Sequence, residues 1–251
     1  MRLIGLVGKR GSGKSTIAEG LRKQHRNLYV VAFADTIKRV VRASYEDRGL
    51  SYMLWGPSAI RDLRIDQYSG GVLPFSSFVQ RLGSTLVPFV NVSSKDIERL
   101  YDILQDVEHG TAREAVRQVG AWGREIDPLF WLRCTRQTVE RLCLYGYKAS
   151  YTGERGLSSD TVSKPNPFIV LSDVRLPSEA RFVNELGGLL IRVERDNKDD
   201  NPIDTDITET AQDYFSTDLV LRNDEDARTV SNRLFRLTTF TESDTCNTEN
   251  T

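Results

Sequence analysis

The chain has 251 residues, with 34 Lys+Arg against 35 Asp+Glu and a formal net charge of −1; 39% of the residues are hydrophobic and 9% aromatic. That length is ample to bury a core, as one large domain or two small ones. The near-zero charge argues against a nucleic-acid polymer as partner, because neutralising a phosphate backbone needs an excess of Lys and Arg, and no run of about 18 apolar residues is present, so no membrane span is expected.

The charge is uneven along the chain. Residues 1–48 hold 11 Lys/Arg and 4 Asp/Glu, a balance of +7, whereas residues 194–251 hold 6 and 15, a balance of −9. The basic residues of the first stretch alternate with apolar ones at helix and strand spacing. They therefore read as a folded basic surface, either one with a small-molecule phosphate as candidate partner or an ordinary solvated face. Cys134, Cys143 and Cys246 form no CxxC pair and read as reduced thiols of a cytoplasmic protein. The first apolar stretch, Leu3–Val7, is too short for the core of a secretion signal.

Leu3–Val7 is predicted as a buried parallel strand. A helix follows over Ser15–His25, with Ile17, Ala18 and Leu21 on one face. Leu28–Phe33 is a second strand. Ile37, Val40 and Val41 mark a helix whose N-cap is Asp35 or Thr36. From Ser44 to Phe75 the glycines at 49, 56, 70 and 71 break any pattern. Helices are expected over Ser94–Val107, over Thr111–Gln118 with Thr111 as cap, and over Pro128–Tyr145. Ala149–Pro167 is polar and reads as a surface loop. Phe168–Leu171, Leu189–Val193 and Asp218–Leu221 read as strands, and Ser178–Leu186 and Glu225–Leu237 as helices. Strands alternating with helices predict an α/β fold, a parallel sheet with helices on both faces. Residues 1–237 are expected to form one domain, with a mostly helical insert at 34–167 and a flexible tail at 238–251.

Gly8-Lys9-Arg10-Gly11-Ser12-Gly13-Lys14-Ser15 fits the pattern G-x-x-x-x-G-K-[ST] at every fixed position. Such a turn bends around a phosphate and points backbone N–H groups inward, and the following helix adds positive charge at its N-terminus. Arg10, Gly11, Ser12, Gly13, Lys14, Ser15 and Thr16 are the candidate ATP-binding residues. Lys14 is placed to reach the β- and γ-phosphates, and the Ser15 hydroxyl to hold Mg²⁺. The N-K-x-D pattern that reads guanine is absent.

A second constellation follows the 168–171 strand: Ser172-Asp173-Val174-Arg175-Leu176-Pro177-Ser178-Glu179. In a parallel sheet, the end of this strand can lie beside the glycine-rich loop. Asp173 can hold Mg²⁺ through water or take a proton, and Arg175 can pair with a phosphate.

These motifs, together with Phe33-Ala34-Asp35-Thr36-Ile37-Lys38, Thr111-Ala112-Arg113 and the run Gly120–Pro128 with Trp131, occur in the order found in phage deoxynucleoside monophosphate kinases. From Met1 to about Leu237 the chain resembles the T5-type members of that family and is similar to the T4 enzyme. The resemblance implies a nucleoside-monophosphate-kinase-like P-loop fold and transfer of the γ-phosphoryl of ATP to a deoxynucleoside monophosphate with Mg²⁺. It also implies a homodimer in the cytoplasm of the infected bacterial host. By motif match, Ile37, Lys38, Gly120, Trp131, Asp173, Arg175 and Glu179 would bind the acceptor, and Arg113 would face the phosphates being exchanged. Thr208-Glu209 matches a further acceptor element, with Asp206 where family members often carry His.

The catalytic set expected is Lys14, Arg113, Asp173 and Arg175, with Ser15 and Asp173 as the metal-binding pair. The insert is expected to cover the acceptor and keep water from taking the phosphoryl group. Three rival readings share the loop: a small-molecule kinase like dephospho-coenzyme A kinase, a nucleotide-gated binding protein without acceptor chemistry, and a nucleic-acid end kinase, which the near-neutral charge and the absence of an aromatic-basic platform disfavour.

Overall fold

The computed structural model describes residues 2–9, 11–25, 27–56, 58–86, 90–145, 167–195 and 211–240. In chain order the elements are β1 (Arg2–Val7), α1 (Lys14–Gln24), β2 (Leu28–Val31), α2 (Ala34–Ser44), β3 (Tyr45–Asp47), α3 (Leu50–Trp55), β4 (Ser69–Val72), α4 (Phe75–Leu86), α5 (Ser94–Asp106), α6 (Ala112–Ile126), α7 (Phe130–Tyr145), β5 (Phe168–Val174), α8 (Pro177–Glu185), β6 (Leu189–Glu194), β7 (Leu219–Arg222) and α9 (Ala227–Phe240). Short 3₁₀ turns lie at Ser58–Asp62, Ile65–Gln67 and Ala211–Tyr214. The chain divides into two compact units, Met1–Ala32 with Lys164–Thr251, and Phe33–Ser163.

The first unit is an α/β layer built on a five-stranded sheet in the order β2-β5-β1-β6-β7. Each of its strand pairings is parallel. Its short, almost wholly apolar strands suit burial on both faces. Ile4 and Leu6 of β1 pack with Ile17 and Leu21 of α1 and with Val230 and Leu234 of α9. Gly5 points the other way, where an added Cβ would come 2.9 Å from Val174 and 3.0 Å from Val183 of α8. Helices therefore cover both faces, an arrangement compatible with Rossmann-like and P-loop-like folds. The chain leaves β1 toward β2 and leaves β6 toward β7, on opposite sides, so the carboxyl end of β1 lies at the point where strand order reverses.

The second unit is mostly helical, with a two-stranded antiparallel sheet of β3 and β4. Its core gathers Val40 and Val41 of α2, Phe78 and Leu82 of α4, Leu100 and Leu104 of α5, Val119 and Trp122 of α6, and Phe130 and Cys134 of α7. Ser93 caps α5 by accepting the Asp96 amide at 3.2 Å, and Thr111 caps α6 by accepting that of Glu114 at 3.1 Å. Cys134 is buried and Cys143 exposed, both free thiols.

Several elements differ from the sequence-based expectation. Helix α2 begins at Ala34, because Phe33 already has helical backbone angles. Asp35 and Thr36 therefore lie inside the first turn and are not caps. Gly70 and Gly71 lie within β4. Helix α4 occupies a stretch with no element assigned. Pro128 sits in the turn before α7, where Asp127 accepts the Leu129 amide at 2.9 Å. Helix α9 reaches Phe240, so Thr238 belongs to it, with its hydroxyl donating to Leu234 O at 3.1 Å. The loop expected over Ala149–Pro167 falls, but for Pro167, outside the described residues, as does the tail beyond Phe240.

Helix α6 runs eight residues past Gln118 despite Gly120 and Gly123. Interior glycine costs a helix about 1 kcal/mol relative to Ala. Packing outweighs that: a Cβ on Gly123 would come 2.6 Å from the Trp131 indole. Gly123→Ala is accordingly expected to destabilise the protein by about 1–3 kcal/mol, measured by urea denaturation. A gain in stability would show that helix propensity governs this position.

Candidate functional site

The site begins where β1 ends. Gly8 and Gly13 have φ of 148° and 92°, a region that L side chains rarely adopt, and they bound a tight loop. The Ser12 amide closes a turn on Lys9 O at 3.2 Å. Lys14 opens α1 and folds back into the loop. Its ammonium donates to Gly8 O, to Lys9 O at 2.8 Å and to Ser12 Oγ at 3.2 Å. The loop is thus curled around a buried cation.

Helix α1 has no side-chain cap and no acidic residue in its first turn. First-turn N–H groups lack i−4 carbonyls, and the helix dipole makes this end positive. Ser15 and Thr16 are exposed there. Curved backbone, ammonium and open helix end together suit an anion with several oxygens.

Two side chains missed by sequence reasoning hold this loop. Gln212 Oε1 accepts the Gly8 amide at 3.0 Å, and Asn223 Nδ2 donates to Ser12 O at 2.8 Å. These partners are 204 and 211 positions apart in sequence, and no local pattern announces such a contact.

Beside the loop lies the end of β5, since Val174 pairs with Val7. Asp173 and Arg175 are thereby carried to the carboxyl edge of the strand next to β1. Glu179, one turn into α8, points back. Its Oε2 accepts the amides of Arg175 at 2.7 Å and Leu176 at 3.0 Å. Burial, and next the charge of Asp173, push the Glu179 carboxyl up to about 8. Glu179 thus shapes the turn that presents Arg175.

The second unit carries the remaining described candidates. Gly120 lies against Ile37, 3.5 Å from where its Cβ would be, and its carbonyl accepts Trp131 Nε1 at 2.9 Å. Trp131 is 5% exposed and packs edge-on to Phe130, with centroids 4.7 Å apart. Its indole belongs to the core. So does Trp122, whose Nε1 donates to Asp96 O at 2.9 Å. Lys38 is 6% exposed, with its ammonium 5.9 Å from the centroid of Trp55. Trp55 in turn donates to the buried Asp35 at 3.1 Å. Arg113 pairs with Asp62 through Nε at 2.6 Å and a terminal nitrogen at 3.3 Å.

Arg10, Thr208 and Glu209 lie outside the described residues. Among the described residues, no group of three or more His, Cys, Asp or Glu could hold a metal ion. No helix there is long and apolar enough to cross a membrane. A scan against protein-family models finds no match, and a search of curated proteins finds none either.

Proposed function

We propose that this chain is an ATP-dependent deoxynucleoside monophosphate kinase with a P-loop fold. The observation that carries the reading is the Lys14 ammonium, held by Gly8 O, Lys9 O and Ser12 Oγ at the carboxyl end of the central strand. Ligands of open parallel sheets bind at that kind of position. The order of the sequence motifs supplies the acceptor class.

In this mechanism the backbone amides at the start of α1 and the Lys14 ammonium bind the phosphates of ATP. An oxygen of the acceptor monophosphate attacks the γ-phosphorus in line, the bond to the β–γ bridging oxygen breaks, and ADP leaves. Positioning and charge neutralisation do most of the work. Arg175 and Arg113 are assigned to phosphate oxygens, and Ile37, Lys38 and Gly120 keep the acceptor role that the resemblance gives them. Trp131, held in the core, takes no part in the scheme. Magnesium, when bound, supplies further neutralisation at the phosphates. The Ser15 hydroxyl and Asp173 carboxylate are hard oxygen donors of the kind it takes, and phosphate and water complete such a shell. A homodimer in the bacterial cytoplasm belongs to the same proposal.

An acceptor panel with ATP tests the reading. The four deoxynucleoside monophosphates, their ribonucleotide counterparts and dephospho-coenzyme A are compared for ADP release and product. A deoxynucleoside diphosphate is the expected product. Product from dephospho-coenzyme A alone, or ATP binding without any product, would replace it with one of the rival readings.

Arg113→Ala separates a structural from a functional role. The Arg113–Asp62 pair is partly exposed, and such pairs contribute at most about 1 kcal/mol. Its loss is expected to leave the melting temperature nearly unchanged while turnover falls by about 10²-fold, as when one charge-stabilising donor is removed. Full turnover would remove Arg113 from the catalytic set.

A further inference from the structure

We infer that Gln212 and Asn223 are positioning residues for the loop of residues 8–13, two staples that set its curvature before any ligand arrives. They grip its two ends. Gln212 takes the first amide, that of Gly8, and Asn223 takes the carbonyl of Ser12, one residue before the last. Both side chains are buried, at 1% and 9% exposure, so their hydrogen bonds compete little with water.

The staples are themselves anchored to the sheet. Arg192 of β6 donates to Gln212 O at 3.0 Å, and the Asn223 amide donates to Glu194 O at 2.7 Å. The loop lies close against these supports. A Cβ at Gly8 would run into Val193 O, and one at Gly13 into Asn223 Nδ2. Glycine is therefore required at both positions by contact as well as by φ.

Two consequences follow. The Gly8 amide is bonded to the protein itself, so the anion cradle is drawn from later amides of the loop and the first turn of α1. Moreover, Gly8, Gly11 and Gly13 all adopt positive φ. A chain so rich in glycine loses much entropy when ordered. Staples that order it in advance remove that cost from ligand binding.

The test uses the full chain with Gln212→Met, which loses the acceptor, Asn223→Ala, which loses the donor, and Gln212→Glu, which keeps an acceptor. Hydrogen exchange of residues 8–15 is followed in the ligand-free protein, with β5 as internal reference. Each of the first two variants is expected to speed loop exchange about tenfold, the worth of one hydrogen bond, with β5 unchanged. Gln212→Glu is expected to restore slow exchange at Gly8. Calorimetry with ATP and magnesium is expected to show a Kd raised about tenfold in Gln212→Met and Asn223→Ala. This affinity arm rests on the proposed nucleotide site, whereas the exchange arm does not. If the wild-type chain binds no ATP, the kinase reading falls and exchange alone decides the staples. Loop exchange unchanged in both variants, or rising only together with that of β5, overturns the inference.

Discussion

Lys14→Ala is expected to lower phosphoryl transfer by about 10³-fold, the loss seen when a charge-stabilising donor is taken from a reacting group. The ammonium here already has an environment that fits the task. Burial strips it of water, and it donates to loop oxygens, Gly8 O, Lys9 O and Ser12 Oγ. To act on a triphosphate, it has to exchange some of these acceptors for phosphate oxygens, which carry more charge. Removing it leaves the two carbonyls facing inward, a repulsive lining for an anion. Binding should therefore weaken along with turnover. The sheet should survive, because β1 and α1 are held by Ile4, Leu6, Ile17 and Leu21, none of which touches the loop's function. ADP release in the acceptor assay, with a melting curve alongside, checks both halves. Near-wild-type turnover in a folded variant would remove Lys14 from the mechanism.

What the sequence revealed follows the range of the forces involved. The strand–loop–helix from Arg2 to Gln24 was legible because its determinants are local: an apolar run, glycines at fixed spacing, then a helical stripe. Thr111 was legible as a cap for the same reason. Helix α4 was not, since Ser76, Ser77, Gly83, Ser84 and Thr85 dilute its helix propensity. It exists because Phe78, Leu82 and Leu86 find a core to enter. The second half of α6 was obscured by two glycines whose purpose, room for Trp131, lies on another helix. The site divides in the same way. Lys14 sits at the start of α1, and Asp173 and Arg175 at the end of β5, places that pattern alone could locate. Gln212 and Asn223, which shape the loop, could not be found without the sheet order that brings β6 beside β1 and β7 beside β6.

Glu179→Gln is expected to make the protein more stable at pH 8 and to flatten its pH dependence. The wild-type carboxyl is pushed up to about 8, above its ordinary 4.5, by burial and by Asp173; the Arg175 and Leu176 amides and the Arg175 charge pull the other way and only partly offset this. A raised carboxyl means that the folded state holds a proton which the unfolded state has released. Between about pH 4.5 and 8, stability therefore falls as pH rises, by at most about 1.4 kcal/mol per pH unit from this group, and the fall ends once both states are ionised. Glutamine keeps an oxygen that can accept the Arg175 and Leu176 amides, so the turn survives, but it neither titrates nor buries a charge. The variant should exceed wild type at pH 8 by on the order of 2–4 kcal/mol and match it near pH 5. Denaturant titrations at both pH values measure the difference, and parallel profiles would show that Glu179 ionises normally. The same proton bears on the chemistry proposed here. Below pH 8 Glu179 is neutral. Above it a negative charge appears behind the turn that carries Arg175, and like charge disfavours phosphate oxygens approaching that turn. Acceptor KM in the wild type should rise above pH 8, and in Glu179→Gln it should not.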